Sequence, residues 1–279
     1  MEYQKKCTGE GYRLEKPAIQ TVMLVCWLAF ISGCSPATVP NSFTFTADLP
    51  PNFMYDARAV YVPDQGETCT VPGGRNTQVG YNIQDPSNDY KPDSEVLLRR
   101  TVSGCPLVLE RIVLAIRGRY GEKRGDSSYS RAIVGVRYTL DEELKTTFDA
   151  AGNSEFQAQC QWFFRTSGAP RVLRKLLECK NTGAGLKLTR GSPLVVYTLD
   201  QLPGKTVRLK VTMLDEELPS WKDTWVKVPG GWKRCRGDDP EDQHAYCHGN
   251  YTDFTTFTMV DGRTCTIYPG CTEDKEVAP

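Results

Sequence analysis

The sequence predicts an all-β protein, a disulfide-stabilised antiparallel sandwich. Apolar and polar residues alternate with a period of two over several stretches, the mark of strands with one buried and one wet face. Turn-forming Pro and Gly pairs punctuate them at Pro72-Gly73-Gly74, Pro203-Gly204 and Pro229-Gly230-Gly231. The one helical suspicion, Asp141 to Phe148, is short.

The strands justify themselves in order. Phe43, Phe45, Ala47 and Leu49 share one face, with Thr44, Thr46 and Asp48 opposite. Segments 57–62, 96–102, 107–118 and 132–140 follow as strand candidates, and residues 63–95, rich in Pro, Gly, Asn and Asp, read as a long surface excursion. Phe156, Ala158, Cys160, Trp162 and Phe164 alternate with Glu155, Gln157, Gln159 and Gln161. After 171–180 and 193–200, Val207, Leu209, Val211 and Met213 alternate with Thr206, Arg208, Lys210 and Thr212. The segments 224–229 and 254–259 complete the set. A boundary near Ala150-Ala151-Gly152-Asn153 divides this material into two β-rich subdomains, 43–150 and 151–279, the second with a Cys-rich C-terminal region.

Composition narrows the function classes. The 279 residues hold 34 Lys+Arg, 34 Asp+Glu, 2 His and 11 Cys, with 39% hydrophobic residues. That apolar content argues against wholesale disorder, and a neutral charge argues against a general nucleic-acid binder.

The N-terminus reads as an address. Lys5, Lys6, Arg13 and Lys16 precede the apolar run Ala18 to Ile31, which ends in Ser32-Gly33-Cys34. A basic region, a short apolar run and small residues make a secretory signal over residues 1–33, too short for a comfortable permanent span. Residues 35–42, with Pro36 and Pro40, form a tether after Cys34. Ile31-Ser32-Gly33-Cys34 resembles the lipobox of bacterial lipoproteins. The resemblance implies that Cys34 receives a diacylglycerol, that the chain is cut before it, and that acyl chains hold the protein on the periplasmic side of a membrane. Ser35, in place of Asp, favours the outer membrane. Removing residues 1–33 takes four Lys/Arg and three Asp/Glu from the 34 of each, leaving a formal charge of −1.

Eight cysteines then remain besides Cys34: Cys69, Cys105, Cys160, Cys179, Cys235, Cys247, Cys265 and Cys271. An even count in an exported chain reads as disulfides. Cys160–Cys179 follows from strand geometry. A turn centred between Ala169 and Pro170 sets the two opposite each other, within disulfide range. Cys265 and Cys271 bracket a turn-forming Thr-Ile-Tyr-Pro-Gly, Cys235 and Cys247 bracket Arg236 to Tyr246, and Cys69 with Cys105 remain. Eight cysteines allow on the order of a hundred connectivities, so these three pairings are only the most parsimonious.

The same region offers a drawn zinc site, Cys235, His244, Cys247 and His248, but His-x-x-Cys-His is not a recognised ligand spacing, and disulfides with exposed histidines are the preferred reading. Asp238, Asp239, Glu241 and Asp242 lack the calcium-loop pattern and read as a solvated acidic loop. No metal or cofactor is expected. The chain has no Gly-x-Ser-x-Gly elbow, His-Glu-x-x-His or phosphate loop, so it is not expected to be an enzyme.

Pro219 to Arg234 stands out. Trp221, Trp225 and Trp232 lie among Lys222, Lys227, Lys233 and Arg234 around a Pro-Gly-Gly turn. Trp and Arg dominate binding hot spots, which makes Trp221, Trp225, Trp232, Lys233 and Arg234 candidate partner contacts. The alternative, that the rings pack beneath the sandwich with the lysines outside, is the preferred reading of the two.

Four segments, Val102-Ser103-Gly104-Cys105-Pro106-Leu107, Gln159 to Arg165, Tyr197 to Thr206 and Gly231-Trp232-Lys233-Arg234-Cys235, give the chain after Cys34 a further likeness. It resembles the periplasmic immunity lipoproteins of type VI secretion phospholipase effectors. The resemblance implies a non-catalytic protein that binds and caps a secreted antibacterial lipase, and transfers no residue roles. A structural or envelope-assembly lipoprotein is the alternative. A periplasmic hydrolase is the third reading, which the missing motifs disfavour.

Overall fold

In the computed structural model, residues 39–71, 78–84, 91–182, 191–238 and 244–271 are described here. The signal, Cys34, the first part of the tether, the Pro72-Gly73-Gly74 turn, and Asp239, Glu241 and Asp242 lie outside them.

The strands in chain order are β1 (Ser42–Asp48), β2 (Phe53–Pro63), β3 (Val79–Gln84), β4 (Asp93–Leu97), β5 (Arg99–Val102), β6 (Cys105–Arg119), β7 (Ser127–Arg137), β8 (Asn153–Ser167), β9 (Val172–Asn181), β10 (Leu194–Thr198), β11 (Thr206–Met213), β12 (Leu218–Pro219), β13 (Trp225–Val228), β14 (Gly231–Cys235), β15 (Phe254–Thr255), β16 (Phe257–Thr258), β17 (Thr264–Cys265) and β18 (Tyr268–Pro269). They form three sheets. The first runs β17-β16-β9-β8-β11-β1-β4 with β12 beside β8, the second β10-β7-β6-β2-β3 with β5 beside β6, and the third β13-β14-β15 with β18 on β14. The segment 141–148 contributes one short 3-10 turn, Glu142–Leu144.

The first two sheets face each other as a sandwich because each strand turns its apolar parity inward. Phe43 and Phe45 of β1, Phe156 and Ala158 of β8, and Val207 and Leu209 of β11 meet Tyr55, Ala57 and Ala59 of β2 and Ile112, Leu114 and Ile116 of β6 in one core. Within the second sheet small residues oppose large ones, Ala57 beside Leu114 and Ala59 beside Ile112, so layers interdigitate. Phe45 meets Tyr55 edge-on, ring centroids 5.5 Å apart at 75°.

Three buried tyrosine hydroxyls stitch the layers. Tyr55 donates to Pro92 O at 2.9 Å, Tyr61 to Leu97 O at 2.8 Å, and Tyr197 to Ser154 Oγ at 2.9 Å. In each case the ring fills the core while its polar end is satisfied on the opposite sheet, which avoids the cost of a buried unpaired hydroxyl. Burial pushes the Tyr197 hydroxyl up to about 12, against the opposing hydrogen bond with Ser154.

Three expectations are corrected. The pairing is mixed rather than purely antiparallel: β1 with β11, β11 with β8 and β10 with β7 run parallel. A period of two fixes which face a residue uses, not the direction of its neighbour. The boundary near residue 150 does not separate two sandwiches. β1 and β4, before it, share a sheet with β8, β9 and β11, after it, while β10 joins β7 in the other; from Val39 onward the chain forms one compact unit. The excursion 63–95 also contains β3, a short edge strand on β2 whose signal is diluted by the Gly, Asn and Pro around it.

The third sheet covers the distal end of the β8–β9 hairpin. Phe164 and Leu173 from that hairpin join Trp225, Phe257, Cys265, Tyr268 and Cys271 in a second, smaller core. Gly231 makes this possible: any Cβ there would collide with the Tyr268 carbonyl, so β14 and β18 approach only through a glycine.

Candidate functional site

All eight cysteines from Cys69 onward are disulfide-bonded, as Cys69–Cys105, Cys160–Cys179, Cys235–Cys247 and Cys265–Cys271. The β8–β9 register pairs Cys160 with Cys179 and Ser167 with Val172, the turn centre expected from the sequence. The Cα atoms of Cys160 and Cys179 are 3.9 Å apart.

The Pro219–Arg234 segment divides between core and surface. Trp225 is 6% exposed and packs edge-on against Phe164 and Phe257, with ring centroids 5.0 and 5.1 Å away. Arg234 is 2% exposed; its guanidinium donates to Thr166 Oγ1 at 3.0 Å, to Thr224 O at 2.6 Å and to Ala245 O at 2.8 Å. Neither can serve as a surface contact, which corrects their place among the candidates. The physical reason is parity: Trp225 and Arg234 are directly paired across the β13–β14 hairpin, so both point into the small core. Trp232 is half-buried, with Lys227 Nζ 5.5 Å over its ring. Lys233 is also half-buried and lies 5.2 Å over Phe254. Trp221 is half-buried in a cluster with His244, at 4.4 Å, and Tyr246, near-parallel at 11° and 6.3 Å, the latter two rings lying 5.9 Å from each other. Both histidines are exposed, and His248 Nε2 lies 3.8 Å from Asp238. Among the described residues, no three His, Cys, Asp or Glu side chains converge as a metal site would require.

A surface that sequence reading did not single out lies on the outer face of the second sheet. The strands β2, β6 and β7, with the edge of β3, enclose a concave trough of about 1040 Å³. Its lining carries five arginines, Arg58, Arg117, Arg119, Arg124 and Arg131, against two carboxylates, Asp56 and Glu122. The register places an arginine on four successive outward rows. Arg58 pairs with Val113, Arg131 with Ala115, Arg117 occupies the next row opposite Tyr129, and Arg119 pairs with Ser127.

Internal partners hold only some of these charges. Arg117 Nη2 contacts Asp56 Oδ2 at 2.8 Å and its guanidinium sits 5.7 Å from the Tyr129 ring centre. Arg119 donates to Glu122 O at 3.0 Å. Arg58, Arg124 and Arg131 are exposed and have no ion pair among the described residues. Arg58 lies across Gly80 of β3, where any side chain would collide with its guanidinium. Val113 and Ala115 form an apolar floor, and Tyr129 at one wall is 51% exposed. Gln84, 8% exposed, lines the trough, its amide nitrogen without a hydrogen-bond partner among the described residues. The turn between β6 and β7 is organised by buried Asp126, which accepts from the Lys123 backbone N–H at 3.1 Å. The signal that could have found the trough was the outward parity of Arg117, Arg119 and Arg131, but adjacency of these residues depends on pairing.

Fold and site together define a disulfide-stapled β-sandwich with an arginine-rich concave outer face. Comparison with protein-family models, curated proteins and solved structures finds no match to this chain.

Proposed function

We propose that this protein is a lipoprotein, anchored through Cys34 on the periplasmic side of a bacterial outer membrane, that binds and neutralises a secreted antibacterial lipase effector without catalysing a reaction. The observation that carries the reading is the pairing of all eight distal cysteines within a β-sandwich. Such stapling belongs to an oxidising compartment, which agrees with the export signal and lipobox-like Ile31-Ser32-Gly33-Cys34. A cross-linked sandwich also suits capture of a folded partner, since a rigid surface loses little ordering entropy on association. The lipase as partner comes from the resemblance of the four segments above.

The test has two parts. Metabolic labelling with a fatty-acid analogue should tag the wild type, and Cys34→Ala should abolish the tag; equal labelling of both removes the anchor. Deleting the gene should sensitise cells to a lipase effector encoded beside it, and the purified protein should inhibit that lipase at equimolar ratio. Unchanged sensitivity together with no binding overturns the immunity role and leaves an envelope-structural one.

A further inference from the structure

We propose that the arginine trough is the docking surface for an acidic segment of a protein partner, held in an extended conformation along β6. The inference deepens the reading of the molecule as a binding protein by naming the surface and the chemistry it takes.

Charge supplies the first argument. The chain is neutral as a whole, yet five guanidinium groups face two carboxylates in one concavity, and three of the five have no ion pair among the described residues. Bringing like charges together costs energy, so an anionic partner is the natural complement. The cations are all arginine, whose planar fork takes a carboxylate through two parallel hydrogen bonds.

Spacing supplies the second. Measured along β6, Arg58, Arg131, Arg117 and Arg119 stand on successive outward rows two residues apart. Arg117 and Arg119 lie on β6 itself, and Arg58 and Arg131 one strand to either side, on β2 and β7. Two residues of strand advance roughly 7 Å, so the series repeats at the interval of alternate side chains on an extended chain. A segment over β6 with Asp or Glu at every second position would meet Arg117 and Arg119 directly, with Arg58 and Arg131 reaching in from β2 and β7.

Composition of the walls decides between a protein and a bare polyanion. Val113, Ala115 and half-exposed Tyr129 provide apolar contact among the charges. Tyr and Arg are among the residues that dominate protein–protein hot spots, and Val113 and Ala115 add apolar area beside them. The buried Gln84 amide nitrogen, which has no hydrogen-bond partner among the described residues, adds a donor for a partner oxygen.

The experiment uses the full-length protein purified in detergent and, as probe, a fluorescent ten-residue peptide of alternating Glu and Thr. The peptide should bind, and R58E/R131E should weaken it tenfold or more. R208E/K210E, on the exposed face of β11, should change it less than twofold. A peptide of alternating Lys and Thr should prefer the R58E/R131E protein. In the wild type, the Glu peptide should protect Tyr129 from hydroxyl-radical labelling, a readout that holds even if the double variant folds poorly. No binding, equal losses in both variants, or an unprotected Tyr129 overturns the proposal. Displacement of the peptide by inorganic polyphosphate or anionic vesicles at lower charge concentration than by poly-glutamate also overturns it, in favour of a phosphate-bearing ligand. Failure of the immunity reading would show separately, as unchanged effector sensitivity on gene deletion.

Discussion

The hydroxyl of Ser130 on β7 accepts the backbone N–H of Cys179 on β9 at 3.0 Å, joining the second sheet to the disulfide strand of the first. Ser128 does the same for Leu177 at 3.1 Å. These amides face away from β8, and among the described residues β9 has a strand neighbour on that side only at Val172, through β16. Two serine side chains therefore take the place of a missing strand, capping an edge that would otherwise be open to pairing.

Replacing Ser130 by Ala leaves the Cys179 amide, on a residue 4% exposed, without its acceptor. The expected loss is about 1–2 kcal/mol, read by chemical denaturation. Hydrogen exchange at Cys179 should quicken while β11 amides keep their protection relative to the global unfolding rate. An unchanged Cys179 exchange rate would show that the hydroxyl does not guard this edge.

Trp225→Ala should lower stability by about 3–5 kcal/mol, because the ring is buried against Phe164 and Phe257 and leaves a cavity when removed. Trp232→Ala, at a half-buried position, should cost about 1 kcal/mol. Equal losses from the two variants in urea titrations would contradict the division of this segment into core and surface.

Alkaline stability should follow Tyr197. Its folded pKa, pushed up to about 12 by burial, exceeds the ordinary tyrosine value of 10.0. The folded state thus holds the proton more tightly than the unfolded chain. Stability from this group is complete below pH 10 and is lost as pH rises toward 12, by about 2–3 kcal/mol. Tyr268, through burial first and its contact with Glu217 second, and Tyr61, through burial, shift the same way, so both add to the decline from pH 10 upward. Tyr197→Phe should make the fall between pH 10 and 12 shallower; an unaltered slope would mean that Tyr197 does not contribute.

Much of the scaffold was legible in the residues. Phe156, Ala158 and Cys160 lie on the buried parity of β8, and Val207, Leu209 and Val211 on that of β11, because side-chain direction in a strand alternates locally. The Thr166–Pro170 turn sets the β8–β9 register for the same reason. The candidate site was far less legible. Trp225 and Arg234 read as hot-spot residues by type, yet their placement depends on a hairpin folding over Phe164, from a strand some sixty residues earlier.

What the sequence determined by itself is what short-range physics controls: strand faces, the hairpin that opposes Cys160 and Cys179, and the all-β class. Only the tertiary structure decided that the two halves interleave in common sheets, that β1, β10 and β11 run parallel to neighbours distant in the chain, and that Arg58, Arg117 and Arg131 share one trough. Long-range pairing is settled by burying the summed apolar faces of all strands at once. A period of two records which side of a strand must be buried, but carries no information about which strand will lie beside it.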